Sequence, residues 1–214
     1  MTGCDLLPNK GGAQLLRATD ERIARGDLAG AEAMAKDYAP EVGPDPVSNR
    51  SAWCGSGSVK QRLDAAGARA ASGLVDAYEK STDPLLRYVE VRRAFNAALE
   101  GEDQALKSLC ALEPNRISTL EYDQARGPIA AEMARIIEPL EEQARSRTGG
   151  RNFDKIVAWA EAAAQKADRD DMAARCNDLK KAVAKPNAFE KSAVQQESED
   201  AMRLACSGLD TYSR

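Results

Sequence analysis

The sequence predicts an all-α protein, an irregular bundle of about eight helices. Three observations carry that expectation. Apolar residues recur at three- and four-residue spacing along most of the 214 residues. No run alternates with a period of two, so no strand is expected. Hydrophobic residues make up 43% of the chain but aromatic ones only 5%, which leaves a core of Ala, Leu, Val, Ile and Met suited to closely packed helices.

Residues 1–9 read as an N-terminal tether and 10–214 as a single all-α domain. Gly11-Gly12 reads as punctuation, not core. A first helix then carries Leu15, Leu16 and Ile23 and stops at Gly26. Asp27 is placed to cap the next, whose stripe is Leu28, Ala31, Met34, Ala35 and Tyr38, and Pro40 ends it. The segment 40–58, PEVGPDPVSNRSAWCGSGS, has three prolines and three glycines and is the longest break. Cys54 beside Trp53 suggests that a disulfide pins this loop; a binding loop is the alternative.

A helix is expected from Ser58 to about Lys80, with Leu63, Ala66, Ala70, Leu74 and Ala77 on its stripe. Gly67 and Gly73 inside it leave room for a neighbouring helix to approach closely, at about 1 kcal/mol each relative to alanine. Thr82 or Asp83 caps the next helix, with Pro84 in its first turn. Its face is Leu85, Tyr88, Val89, Arg92, Phe95 and Leu99, and EGED is expected to break it at Gly101, leaving a short helix over 102–112. A long helix follows from Ser118 or Thr119 to about Arg147, which Pro128 and Pro139 should kink or interrupt. Two more helices are expected over 152–167 and 169–184, and a last over 188–209 after the Lys185-Pro186-Asn187 break. Trp159 lies among alanines that leave room for its ring, so it reads as core, with a partner-binding anchor as the alternative; Trp53 is a second candidate anchor.

Composition excludes several chemistries. The chain contains no histidine, which removes Ser-His-Asp and Cys-His nucleophilic sites, histidine metal centres and Glu-x-x-His di-iron sites. Net charge is −4 and no basic block is present, so nucleic acid is not an expected partner. No stretch approaches the roughly 20 apolar residues of a membrane span. CGSGS at 54–58 lacks the lysine-serine ending of a phosphate loop and follows no strand; a turn with Ser58 as N-cap explains it better. DRDD at 168–171 lacks calcium-loop spacing and reads as acidic residues at a helix start, while the carboxylates of EPLEEQ at 138–143 read as a solvated face. No cofactor, metal site or catalytic residue is expected.

Five cysteines, Cys4, Cys54, Cys110, Cys176 and Cys206, are widely separated, so no CxxC signature exists. Setting Cys4 aside leaves an even set, compatible with two disulfides. Cys176–Cys206 with Cys54–Cys110 is one of three pairings, and offset helices are needed for the first of them. Five reduced thiols buried as small hydrophobes is the other reading of the same count.

Thr2-Gly3-Cys4 resembles the last three positions of a bacterial lipobox. That resemblance implies that Cys4 is the lipidated residue of a precursor whose apolar signal segment precedes Thr2, and that the chain hangs on the periplasmic side of the bacterial envelope. Asp5 is similar to the inner-membrane retention residue of some enterobacterial lipoproteins. The segments ARGDLAGAEAMAKDY and ALEGEDQALKSLCALEP each resemble the turn and second helix of a tetratricopeptide unit, which implies a repeat-like array as the alternative to the irregular bundle. Together these readings lead to the expectation of a non-catalytic cell-envelope lipoprotein, held to the membrane through lipid on Cys4, that binds a protein partner as a scaffold or assembly factor. The alternatives are a cytosolic helical adaptor with reduced thiols and a carrier of a hydrophobic ligand.

Overall fold

The computed structural model describes residues 11–38, 54–110, 119–149 and 152–183. All are helical or in the turns between helices. The helices are α1 (Gly12–Ala24), α2 (Leu28–Asp37), α3 (Ser56–Lys80), α4 (Pro84–Cys110), α5 (Thr119–Arg147) and α6 (Phe153–Val183). The chain divides into two compact units, Met1–Phe153 and Asp154–Arg214. The first holds the bundle α1–α5 and the second holds α6 beyond its first residue. The helix expected over 188–209 lies outside the described residues.

In the first unit α3 is the central helix; α1, α2, α4 and α5 all pack on it. Its sequence explains why. Val59, Leu63, Ala65, Ala66, Ala68, Ala70, Ala71, Leu74, Val75 and Ala77 are all buried, so the helix is apolar around most of its circumference. Small residues let neighbours come close on two sides. A Cβ on Gly67 would lie 2.6 Å from the backbone of Gly12, and one on Gly73 would lie 2.4 Å from the Ala94 Cβ. Gly12 is therefore part of the core contact and not mere punctuation, and its N–H donates to the Asp64 carboxylate at 2.8 Å, which caps α1 from another helix.

Local signals set several boundaries. Gly26 takes a left-handed conformation (φ 79°) that ends α1. The Asp27 carboxylate accepts from the Gly30 N–H at 3.0 Å and starts α2. Asp83 accepts from the N–H groups of Leu85 and Leu86 at 2.9 and 3.1 Å and starts α4. At α3 the start is Ser56 with Gly55 as N-cap, two residues earlier than a cap at Ser58 implies.

Three expected interruptions are absent. Helix α4 runs unbroken through EGED, so there is no turn at Gly101 and no separate helix over 102–112. Ion pairs to other helices hold residues 102 and 103 in helical register: Glu102 with Arg69 of α3 at 2.8 Å, and Asp103 with Arg126 of α5 at 2.7 Å. These contacts offset the cost of glycine at 101. Helix α5 passes through both Pro128 and Pro139. The two are three turns apart on the exposed side, where the carbonyls they leave without a donor, those of Gln124 and Arg135, belong to exposed residues that water reaches. Helix α6 replaces the two helices expected over 152–167 and 169–184, because no Pro or Gly stands between Phe153 and Val183. Six helices are thus found among the described residues where about eight were expected along the chain.

Candidate functional site

The helices of the first unit leave an open groove of about 490 Å³ over one face of α3. Ala65, Ala68, Ser72 and Gly73 of α3 form its floor. Ala35 and Tyr38 supply the wall on the α2 side, and Ala94, Ala97 and Ala98 of α4 supply the other. The groove exists because of what the sequence withholds: along α3 and α4 its alanines, Ser72 and Gly73 offer methyl groups, a hydroxyl or hydrogen, too short to fill the space between helices. Two charges stand in it, Arg69 and Asp76, two turns apart on α3. The Arg69 guanidinium donates to Glu102 at 2.8 Å and reaches the Ala98 carbonyl at 3.4 Å, which orients it along the α4 wall. Burial pushes the Tyr38 hydroxyl above the ordinary tyrosine range, and the nearby Asp64 carboxylate adds to the effect, so this phenol is a neutral donor at physiological pH.

A smaller groove of about 200 Å³ lies between α4 and α5, lined by Phe95, Leu99, Met133 and Ile137, with Glu100 and Arg126 at its edge. The ionisable clusters of the bundle tie helices together. Glu132 of α5, buried, accepts from Arg17 of α1 and from Arg135, and Arg135 also donates to Asp20 at 2.7 Å. Hydrogen bonding from Arg17 holds the Glu132 carboxyl below its usual range, against the opposing effect of burial. Asp103 accepts from the Tyr122 hydroxyl and from Arg126. Burial first, then that bond to Asp103, raise the Tyr122 hydroxyl far above its ordinary value. The carboxylates of these clusters each pair with arginine, as structural pairs do, and of the members only Arg126 borders a groove, where it is tied to Asp103. Among the described residues no group of three or more Cys, Asp or Glu side chains is arranged to hold a metal ion.

The sequence-predicted residues fall as follows. Cys54 and Cys110 form a disulfide with Cα atoms 5.5 Å apart. Cys54 stands two residues before the first residue of α3 and Cys110 is the last residue of α4, so the bond closes the open end of the α3–α4 hairpin. Cys176 is carried by α6, but its side chain, like Cys4, Cys206 and Trp53, lies outside the described residues. Trp159 is 72% exposed on α6 and is not a core residue. Its alanine neighbours do leave space, but Ala158, Ala162 and Ala163 are exposed with it. DRDD lies within α6 and not at a helix start. In EPLEEQ, Leu140 is buried while Glu138 and Glu142 are exposed, and Glu141 pairs with Arg145 at 2.7 Å. The groove itself went unread in the sequence; the available signal was the register of Ala65, Ala68, Ser72 with Ala94, Ala97, Ala98 on consecutive helices. No protein-family model, curated protein or solved structure matches the chain.

Proposed function

We propose that the chain is a non-catalytic lipoprotein of the bacterial cell envelope that acts as a scaffold or assembly factor, seating a helix of a protein partner in the groove over α3. The disulfide carries the compartment. Such bonds persist in oxidising surroundings and are rare where glutathione and thioredoxin act. Cys54 is fully buried, and the bond closes a sequence separation of 56 residues, as a structural bridge does. The Thr2-Gly3-Cys4 resemblance to a lipobox supports the same side of the membrane and supplies the anchor.

The groove supports the mode of action. Its floor and its α4 wall are mostly backbone and methyl groups, so a partner helix bearing small residues approaches closely there and gains dispersion contacts over its length. Arg69 and Asp76 offer one charge of each sign, which sets the direction in which that helix lies. The absence of histidine removes the commonest acid–base machinery.

Two measurements test the reading. In cells of the source bacterium, maleimide labelling of the denatured, unreduced protein should leave Cys54 and Cys110 unmodified; labelling of both assigns the chain to a reducing compartment as a cytosolic adaptor. A photo-crosslinking residue at Ala97 should yield a discrete adduct with an envelope protein, lost when Ser72→Trp fills the groove. An adduct unaffected by that substitution, or displacement by a fatty acid and by no protein, overturns the scaffold reading.

A further inference from the structure

Helix α6 has three faces, and the sequence divides them by chemistry. Phe153, Ile156, Val157, Ala160 and Ala164 form the apolar stripe, with Phe153 and Val157 buried. Asp154, Glu161 and Asp168 recur every seven residues and share a second face. Lys155, Trp159, Ala163 and Lys166, at four-, four- and three-residue spacing, share the third, and all four are exposed. Up to Lys166 this third face carries no carboxylate; Asp170, one turn further on, is the first. A 72% exposed indole is unusual for so large an apolar ring, and here it stands between two lysines separated by roughly 16 Å of helix.

We infer that this face of α6 rests on the surface of a bilayer that contains anionic phospholipid, with Trp159 at headgroup depth and Lys155 and Lys166 against lipid phosphates. An indole has an apolar body and one N–H donor, which suits the boundary between headgroups and acyl chains. The lysines supply the sign that an anionic leaflet attracts, and their long stems let the ammonium groups stay among phosphates while the ring goes deeper. The acidic face is turned away from the same surface by the helix geometry. A protein partner fits the stripe less well. It is convex, it has one large ring, and its other apolar members are alanines, so it lacks the cluster of anchors from which protein interfaces draw their energy. The inference does not depend on lipid at Cys4 or on the groove over α3.

The test uses the full chain with Trp53→Phe, which leaves Trp159 as the single tryptophan. Vesicles containing phosphatidylglycerol should shift its emission to the blue at low salt. Pure phosphatidylcholine vesicles should do so weakly, and about 0.5 M salt should reverse the shift, since that ionic strength screens exposed charges beyond a few ångströms. Lys155→Glu with Lys166→Glu should weaken partition by about tenfold or more while leaving the helical circular dichroism unchanged. The Trp159→Phe chain, which retains Trp53, serves as control and should show no shift. Unchanged Trp159 emission on the anionic vesicles overturns the inference, as does a shift that survives the double charge reversal. A shift that appears with protein concentration in the absence of lipid assigns the face to a second copy of the chain and also overturns it.

Discussion

At the residue scale, one chemical change has opposite outcomes at three glycines. Adding a methyl group at Gly67 places it 2.6 Å from the Gly12 backbone, and backbone cannot rotate away as a side chain does. Gly67→Ala should therefore force α1 off α3 and cost about 1–3 kcal/mol. Gly73→Ala meets the Ala94 Cβ at 2.4 Å and belongs to the same class. Gly101→Ala adds its methyl to open solvent in the middle of α4 and should stabilise by about 0.5–1 kcal/mol through helix propensity. Urea denaturation of the three variants, followed by circular dichroism, checks the signs; equal effects at Gly67 and Gly101 contradict the close crossing. A second residue-scale expectation concerns acid. Glu132 has a depressed folded pKa, so the unfolded chain binds its proton more readily. Its contribution is complete above the ordinary value of 4.5 and is lost as pH falls below that towards the depressed folded value. Glu132→Gln should flatten the dependence of the urea midpoint on pH in that interval. At neutral pH it should cost about 1–2 kcal/mol, less than a fully buried pair, because Arg17 and Arg135 keep about half their side-chain surface in water.

At the element scale, what the sequence showed and what it hid separate by distance along the chain. The caps at Asp27 and Asp83 were legible because donor and acceptor lie within three residues. The close approaches at Gly67 and Gly73 were legible because a glycine inside an apolar helix has few other uses. The continuity of α4 was not, because what holds EGED helical comes from Arg69, Tyr122 and Arg126, on other helices. Trp159 was misread for a related reason: neighbouring alanines describe the space around a ring, whereas the flanking Lys155 and Lys166 describe the face it is on. The same logic gives a test. Asp103→Ala removes the acceptor of both Tyr122 and Arg126, and the end of α4 should lose its tie to α5. Amide exchange from Gly101 to Ser108 should quicken by more than that of Val89 to Phe95, with a global loss of about 2 kcal/mol. Uniform quickening along α4 would mean that Gly101 is held by propensity alone.

At the scale of the whole molecule, the unbroken α4 and the disulfide are one fact. Cys54 and Cys110 each stand 28 residues from Thr82, in the turn between α3 and α4. Two antiparallel helices of 25 and 27 residues bring such positions level, and the bond joins them with no offset. The equal arms were visible in the sequence, but a break at Gly101 concealed that both belong to straight helices. The bridge thus fastens the central helix to α4 at the end opposite their turn, and on the chain-entropy relation it contributes about 4 kcal/mol by restricting the unfolded chain. The folded bundle, in contrast, is built on the buried apolar residues of α3, on which four helices pack. Reduction, or Cys54→Ala with Cys110→Ala, should therefore leave the helical circular dichroism intact at low temperature and lower the melting temperature by about 8–16 °C, taking 2–4 °C per kcal/mol for a unit of this size. The groove over α3 ends well inside the hairpin, so crosslinking from Ala97 should survive reduction at low temperature and fail only as the bundle melts. Loss of helicity on reduction at low temperature would show instead that the covalent tie, and not the packing of α3, defines the fold.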